Sequence, residues 1–557
     1  MRKNLLVCLV IILNFLSCES NKPPIKAAVV SARIEASKIG IGILEKGGNA
    51  FDAMIATDLA LAVCYPNAGN IGGGGFLVYR KSDGSVGSLD YREKAPLASY
   101  KDMYLDSDGN VIEGKSTIGG MAIGVPGTVA GLYEVHNKLG TLPWEELVQP
   151  AIDLATNGYI VTINQANSFS SKRNDFVNIN GEETLFAKEF KPGDTVINIQ
   201  LANTLKEIQK NGKSGFYNGI VAENLVSEVQ KAGGIITMQD LDNYKPIWRN
   251  PIEFSYKNLK ITSMGPPSSG GICLAQMMKM IEPYDISQYS HNSLESIQLM
   301  TEAERRTYAD RSEYLGDSDF YPVPVSTLID STYLLKRMKD FNWEKATLST
   351  NISAGPNLWN ESDETTHYSI VDQYGNAVAV TTTLNASYGS KVYVENGGYF
   401  LNNEMDDFVS KPGVPNMFGL TGSIANSIEP EKRMLSSMTP TIIEKDNNLF
   451  MILGTPGGST IITSVFQTIL NAYEFNMDIQ ESVNASRFHH QWLPDLIVLE
   501  PDKFDSELIN KLISKGYFID EKASRIIGRV DAILVNKDGV ITTGADPRGD
   551  DAAAVLR

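Results

Sequence analysis

Thr365 occupies the position in this 557-residue chain best suited to covalent chemistry. The four residues before it, 361–364, are acidic or small and polar, typical of a solvated loop, whereas residues 366–371 are rich in β-branched and aromatic side chains. A threonine hydroxyl is a weak nucleophile until a base takes its proton. A cut between Glu364 and Thr365 would supply that base, because the new α-amine has a pKa of roughly 8 and is tethered to the hydroxyl. The pattern predicts an N-terminal nucleophile released by self-cleavage.

The nucleophile must be held by its neighbours, and residues 366–371 and 377–384 predict a β-hairpin with a Gln-Tyr-Gly-Asn turn between them. A two-residue turn sets Thr366 opposite Thr383, so that Thr383 lies diagonally beside Thr365. Taken alone, this segment is more simply explained as an ordinary threonine-rich hairpin.

Five short motifs follow one another in the second part of the chain: 365–369 (Thr-Thr-His-Tyr-Ser), 381–385 (Thr-Thr-Thr-Leu-Asn), 402–408 (Asn-Asn-Glu-Met-Asp-Asp-Phe), 435–440 (Leu-Ser-Ser-Met-Thr-Pro) and 454–459 (Gly-Thr-Pro-Gly-Gly-Ser). Together they resemble the γ-glutamyltransferases (γ-glutamyltranspeptidases), which are self-cleaving N-terminal-nucleophile hydrolases, and the resemblance extends from Ile25 to Arg557. It implies an α+β fold, a four-layer αββα sandwich made from one precursor that is cut into an interlocked heterodimer. Residues 18–364 would form the large subunit and residues 365–557 the small catalytic subunit.

The resemblance also implies the catalytic roles. Thr365 would be the nucleophile, Thr383 would orient it, and the amides of Gly457 and Gly458 would form the oxyanion hole. Glycines between a strand and a helix suit that task, because their backbone N–H groups can approach a ligand and a helix N-terminus favours negative charge.

Substrate binding is implied for a second set of residues. The planar fork of Arg92 suits a carboxylate, and in the family this arginine grips the substrate's α-carboxylate together with two serines. The partner of the α-ammonium would be an aspartate, with an asparagine and a glutamate nearby. The residues concerned are Ser436 and Ser437 for the carboxylate, and Asp407, Asn385 and Glu404 for the ammonium.

The reaction implied is cleavage of the γ-glutamyl bond of glutathione or another γ-glutamyl donor through a γ-glutamyl ester on Thr365. Water, an amino acid or a peptide would then resolve the ester, and neither a metal nor an organic cofactor is implied.

Two alternative functions remain open. A glutaryl or β-lactam acylase of the same fold would not need Asp407, and a non-enzymatic peptide-binding envelope lipoprotein would need neither Thr365 nor the cut.

Residues 412–419 (Pro-Gly-Val-Pro-Asn-Met-Phe-Gly) resemble the lid loop of bacterial members of the family. Some members carry tyrosine where this chain has Phe418. A hydroxyl contact that would close the pocket is therefore missing here.

The N-terminus predicts export from a bacterial cytoplasm. Arg2 and Lys3 precede a short apolar run, so that residues 1–17 are typical of a signal peptide. The sequence Leu16-Ser17-Cys18 resembles a lipoprotein signal, which predicts lipidation of Cys18, a tether over residues 18–26 and a membrane association only through that lipid. A plain secretory signal is the alternative. The formal net charge of −17 argues against nucleic acid or an anionic membrane surface as a partner.

The other chemical candidates are weaker. The glycine run 70–75 lacks both phosphate-loop and dinucleotide patterns, so close backbone packing is expected. Cys64 and Cys273 are expected to be buried thiols, and the pair His489-His490 to be packing residues rather than metal ligands, because adjacent strand residues point to opposite faces.

Two further segments are interpreted from their composition. The charged helix predicted over 296–315 is expected to present its charged residues to solvent or to bridge domains; these are Glu302, Glu304, Arg305 and Arg306. Residues 340–364 are poor in apolar side chains and are expected to form a loose C-terminus after cleavage.

Overall fold

The computed structural model describes residues 23–353, 365–522 and 526–557, which form two stacked sheets between two layers of helices. The predicted αββα sandwich is confirmed. The predictions for the signal peptide, Cys18 and Glu364 lie outside the described residues.

The strands in the described residues are β1 (Ala27–Ser31), β2 (Gly74–Arg80), β3 (Val86–Asp90), β4 (Tyr159–Ile160), β5 (Thr195–Val196), β6 (Ile247–Arg249), β7 (Ile252–Tyr256), β8 (Leu259–Ser263), β9 (Thr366–Val371), β10 (Ala377–Thr383), β11 (Tyr393–Val394), β12 (Tyr399–Phe400), β13 (Thr441–Lys445), β14 (Asn448–Gly454), β15 (Phe488–His489), β16 (Ile497–Leu499), β17 (Ile519–Asp520), β18 (Asp531–Val535), β19 (Ile541–Gly544) and β20 (Ala552–Leu556). The helices are α1 (Ile34–Glu45), α2 (Ala50–Cys64), α3 (Thr128–Leu139), α4 (Trp144–Asn157), α5 (Ile163–Asn180), α6 (Ile199–Asn211), α7 (Ser214–Tyr217), α8 (Gly219–Lys231), α9 (Met238–Asn243), α10 (Gly270–Ile281), α11 (Leu294–Tyr314), α12 (Val325–Leu328), α13 (Ser331–Arg337), α14 (Thr460–Tyr473), α15 (Ile479–Asn484) and α16 (Ser506–Ser514).

The first sheet has the strand order β20-β1-β9-β10-β2-β3-β6, and all its neighbouring strands are antiparallel. The alternation along β10 sets its two faces, since Val378 and Val380 pack against the helices of the α1–α4 layer, whereas Ala377 and Ala379 face the second sheet. The hairpin that carries Thr365 therefore lies in the middle of the sheet and is buried on both faces.

The second sheet has the order β19-β18-β14-β13-β8-β7 and is also antiparallel. Its outer face packs against α10, α11 and α14, and its inner face meets the first sheet in a core that includes Phe76, Ile442, Ile452 and Ile533. Both sheets combine strands that precede Thr365 with strands that follow it.

Local sequence explains the helices that support these sheets. Asn49 caps α2 through a capping box with Asp52, and every residue of α2 is buried.

Cys64 at the end of α2 and Cys273 in α10 are buried free thiols, as expected, and burial raises the pKa of each to about 12. Among the helices of the described residues, none combines the length and the apolar composition needed to cross a membrane.

The hairpin forms as predicted, but its register differs by one residue. Thr366 pairs with Thr382 rather than with Thr383. The amide of Asp372 donates to the Asn376 carbonyl at 3.0 Å, so the loop between them has three residues, and Gly375 adopts a φ of 90° there. One more loop residue moves every partner by one position and brings Thr383 level with Thr365.

Of the two alternatives for the charged residues of α11, exposure to solvent is wrong, and two of the residues instead pair with other segments of the chain. Glu302, Glu304, Arg305 and Arg306 are all buried. Arg306 pairs with Glu302 at 2.5 Å and with Asp340 at 2.7 Å. Opposite charges four residues apart are common on solvated helices, but here other segments supply further partners and bury the pairs.

Residues 340–353, part of the segment expected to be loose after cleavage, are packed in the uncut chain, and the expectation for the cut protein stays a prediction. Ser349 and Ile352 are buried, the Ser349 amide donates to Asp495 Oδ2 at 2.7 Å, and the Trp492 indole donates to the Ser349 carbonyl at 3.1 Å. The segment is therefore attached to the part of the chain that follows Thr365. Residues 354–364 lie outside the description.

Candidate active site

Thr365 immediately precedes β9 and is almost fully buried. Its Oγ1 lies 3.5 Å from Thr383 Oγ1, at the end of the neighbouring strand. Thr383 Oγ1 accepts a hydrogen bond from the Asn385 amide at 2.7 Å, which leaves the Thr383 hydroxyl hydrogen free to point elsewhere. The two predicted threonines are thus adjacent, with Thr383 able to orient the Thr365 hydroxyl.

Asn70 supports this end of β10, a role that the sequence analysis missed. Its Nδ2 donates to the Thr383 carbonyl at 2.9 Å and to Thr382 Oγ1 at 3.2 Å, while its Oδ1 accepts from the Gly73 amide at 2.8 Å. A Cβ on Gly73 would lie 2.0 Å from the Thr383 carbonyl oxygen. The glycine run is therefore a close-packing device, as expected, and an asparagine at its start was the available signal.

The turn between β14 and α14 carries the two glycines predicted to form an oxyanion hole. Gly457 has a φ of 134° and Gly458 a φ of 51°, a region that favours glycine. The Gly457 carbonyl accepts from both the amide and the hydroxyl of Thr460 at 2.8 Å, which fixes the turn. Within the described part of the chain, neither glycine amide has a hydrogen-bond acceptor. Gly458 lines the same cavity as Thr365, so this turn offers free donors beside the hydroxyl.

Arg92 is buried at the other end of that cavity and pairs with two carboxylates. Its Nη2 lies 2.5 Å from Asp407 Oδ2 and its Nη1 lies 2.6 Å from Glu404 Oε2. Burial acts to lower the pKa of Arg92, but the two carboxylates outweigh it and hold the pKa above its ordinary value. Burial raises the pKa of both acids, well above the ordinary value for Glu404. The predicted partners of the α-carboxylate and of the α-ammonium thus pair with each other.

Asn385 and the two serines complete the predicted set. Asn385 adopts a φ of 72°, a conformation that asparagine tolerates, and its Nδ2 donates to the Asn403 carbonyl at 3.1 Å. Ser437 lines the cavity, and its hydroxyl accepts from Arg311 Nη2 at 3.0 Å. Ser436 also lines the cavity, and its Oγ accepts from the Met438 amide at 3.1 Å. Arg311 was missed because α11 was expected to be a solvated helix.

The proposed lid segment packs directly on the glycine turn. Phe418 is buried, and a Cβ on Gly458 would lie 2.5 Å from its ring. Asn416 Nδ2 donates to Asp407 Oδ1 at 3.1 Å, and the Met417 amide donates to Asp406 Oδ2 at 2.9 Å. The cavity beneath has a volume of only about 20 Å³, so that a ligand the size of a glutamyl group requires this segment to move.

His489 and His490 lie outside this cavity. His489 bonds to Thr463 at 2.8 Å and to Gln491 at 2.9 Å, and burial lowers the pKa of both histidines to about 4. They are packing residues, as expected. In residues 23–353, 365–522 and 526–557, no group of three or more His, Cys, Asp or Glu side chains is arranged to hold a metal ion.

Comparison with known proteins identifies the family. A model of the gamma-glutamyltranspeptidase family matches residues 36–556. The chain belongs to this family. A glutathione hydrolase proenzyme from Escherichia coli (strain K12) is 43% identical over 527 residues, which is 94% of this chain and 90% of that protein.

Solved structures agree with this assignment to the gamma-glutamyltranspeptidases. A crystal structure of Helicobacter pylori gamma-glutamyltranspeptidase is 43% identical, with a TM-score of 0.57, and the match covers 60% of this chain and 96% of that chain. A cephalosporin acylase from Bacillus halodurans has a TM-score of 0.83 over 99% of this chain and 100% of that chain, but at 22% identity this likeness shows the shared fold alone. Membership of an enzyme family removes the non-enzymatic lipoprotein hypothesis.

Proposed function

We propose that this gamma-glutamyltranspeptidase matures by cutting itself between Glu364 and Thr365, and that Thr365 then carries the reaction. The enzyme transfers and hydrolyses γ-glutamyl groups, with glutathione and related γ-glutamyl compounds as donors. The observation that carries the proposal is that Thr365, Thr383, Gly458, Arg92 and Asp407 line one cavity.

In the proposed mechanism, Thr365 Oγ1 attacks the γ-carbonyl carbon of the donor, and its proton passes to the residue's own α-amine. The amides of Gly457 and Gly458 stabilise the oxyanion of the tetrahedral intermediate. When this intermediate collapses, the C–N bond breaks and the α-ammonium returns the proton to the leaving amine. Water, an amino acid or a peptide attacks the resulting ester and releases Thr365, with glutamate or a new γ-glutamyl compound as the product.

Recognition of the donor is assigned to the charged end of the cavity. The α-ammonium would bind Asp407, with Asn385 and Glu404 nearby, and the α-carboxylate would bind Arg92 with Ser436 and Ser437. An α-amino acid group carries one positive and one negative charge on a single carbon. It can therefore insert into the Arg92–Asp407 pair and give each side chain a new partner.

A two-chain product is supported by the way the sheets are built. Strand β1 lies between β20 and β9, β10 pairs with β2, and β13 pairs with β8, so that in both sheets strands from 18–364 are hydrogen-bonded to strands from 365–557. A cut before β9 would leave these chains interlocked by hydrogen-bonded strands. Residues 18–364 are 347 of 557 residues, close to the 60% of this chain matched by the single Helicobacter pylori chain.

Maturation is tested on the purified wild-type protein. We expect two chains on a denaturing gel, and N-terminal sequencing of the smaller should begin Thr-Thr-His-Tyr. The same sample should release glutamate from glutathione. A single full-length chain with full activity would contradict the proposal.

A lipid anchor at Cys18 is proposed for the cell envelope. It rests on the short apolar run followed by Leu16-Ser17-Cys18 and on residues 18–26 as a tether. Two acyl chains or more would hold the protein stably at a membrane, whereas one chain is marginal.

A further inference from the structure

Arg311 lies on α11, in the segment proposed to be the large subunit. Its buried guanidinium forms part of the wall of the active-site cavity. Its side-chain partners are two hydroxyls, since Nε donates to Ser269 Oγ at 3.0 Å and Nη2 donates to Ser437 Oγ at 3.0 Å. Among the described residues, no carboxylate lies within 4.0 Å of it. Its positive charge is therefore buried without a counter-ion in contact.

Arg92, in the same cavity, is in the opposite situation. Asp407 and Glu404 pair with it at 2.5 Å and 2.6 Å, and Glu93 lies at 3.8 Å. These neighbours compensate the charge of Arg92 before any substrate arrives. The two arginines line one cavity, but Arg92 already has carboxylate partners and Arg311 has no carboxylate in contact.

A buried charge without a partner is unfavourable, and an anion that enters the cavity beside it removes that penalty. Burial lowers the pKa of Arg311, and Cys273, Tyr308 and the carboxylate of Asp407, in that order, offset part of this lowering. The space beside Arg311 therefore favours a negative group, and a positive group on the same ligand can reach Asp407, which lines the same cavity.

We propose that Arg311, acting with Ser437, binds the α-carboxylate of the γ-glutamyl donor and supplies the charge by which the enzyme selects it. The inference rests on the proposed function. Arg92 then donates hydrogen bonds to the same carboxylate while it holds Asp407 in place for the α-ammonium.

A carboxylate could also come from the leaving group, because the glycine of glutathione ends in one. The donor's α-carboxylate fits better, since it shares one carbon with the ammonium and must lie close to the partner of that ammonium. Asp407, Ser437 and Arg311 line one small cavity.

The test compares hydrolysis of three substrates: γ-glutamyl anilide, 4-aminobutanoyl anilide, which lacks only the α-carboxylate, and glutathione. Arg311→Gln should lower kcat/KM for γ-glutamyl anilide about 100-fold, mainly through KM. For 4-aminobutanoyl anilide the change should stay within about threefold. Arg311→Lys, which keeps the charge with fewer donors, should fall between wild type and Arg311→Gln.

Arg173→Gln is the matched control. Arg173 lies on α5 outside the cavity, and its Nε also donates to a neutral partner, the Ala187 carbonyl, at 2.6 Å. It should leave all three substrates unchanged. Arg92→Gln should reduce both anilides, because it leaves Asp407 and Glu404 without their partner.

Equal losses on both anilides in Arg311→Gln and Arg311→Lys would mean a structural role and overturn the inference. So would a loss confined to glutathione, which would assign Arg311 to the leaving group. If Arg311→Gln does not fold, Arg311→Lys decides, and a KM for γ-glutamyl anilide equal to that of the wild type would contradict the inference. A wild type that does not hydrolyse γ-glutamyl anilide would contradict the proposed function itself.

Discussion

The two ends of the cavity are built in different ways. The reaction end consists of hydroxyls and backbone amides that carry no formal charge: Thr365, Thr383, Gly457 and Gly458. The proposed recognition end consists of charged side chains and their partners: Arg92, Asp407, Glu404, Arg311 and Ser437.

They also differ in how far apart their members lie in the chain. Thr365 and Thr383 are 18 residues apart and are brought together by one hairpin. Arg92 and Asp407 are 315 residues apart, and Arg311 and Ser437 are 126 apart. The pair of hydroxyls at the first end depends on the geometry of one hairpin, whereas the glycine turn and the charged pairs of the second end reach the cavity through long-range packing. Substitutions at the first end should therefore lower the rate of the chemical step, whereas substitutions at the second end should change substrate selectivity.

Loss of the nucleophile should have the largest effect. Thr365→Ala removes the attacking oxygen for both self-cleavage and turnover, so the protein should remain one full-length chain and kcat/KM should fall by about 10⁶-fold. Gel electrophoresis and an anilide assay measure the two effects. Thr365→Ser is the control, because it keeps the hydroxyl and should still give two chains. Measurable two-chain product from Thr365→Ala would assign the reaction end to another residue.

Removal of the ammonium partner should change selectivity rather than chemistry. A site built around a buried polar partner rejects an analogue that lacks the matching group by about 10⁴-fold, so γ-glutamyl anilide should be strongly preferred to glutaryl anilide. Asp407→Ala should erase most of that preference while the enzyme still cleaves itself. Equal kcat/KM for the two anilides in the wild type would show that Asp407 does not read the amine, and would favour the acylase alternative.

Thr383 should contribute one hydrogen bond to the reaction end. Thr383→Val keeps the shape but removes the hydroxyl that lies 3.5 Å from Thr365 Oγ1, so kcat should fall about tenfold with little change in KM. Thr383→Ser should retain most of the activity. If Thr383→Val instead raised KM and left kcat unchanged, Thr383 would contribute to substrate binding rather than to the chemical step.

Cys18 should affect neither end. Cys18→Ala is expected to leave kcat/KM unchanged and to move the protein from the membrane to the soluble envelope fraction, as measured by fractionation and immunoblot. Unchanged fractionation would favour a plain secretory signal.

The sequence by itself indicated the family and, through that resemblance, the fold class, and it predicted Thr365 as a nucleophile at the start of a hairpin. Strand, turn and helix patterns are local, and the hydroxyls and glycines lie on one hairpin and one strand-to-helix turn. The roles of Thr383, Gly457, Gly458, Arg92 and Asp407 were inferred from motifs that resemble those of the family, because no local pattern assigns them.

Tertiary structure decided three matters that no local pattern contains. Thr383 came level with Thr365 only because the loop before β10 has three residues rather than two. The charges of α11 are buried because partners such as Asp340 and Asp495 arrive from other segments. Arg311 lines the cavity with no carboxylate of the described residues within 4.0 Å, because long-range packing, which sequence spacing does not report, sets both its burial and its neighbours.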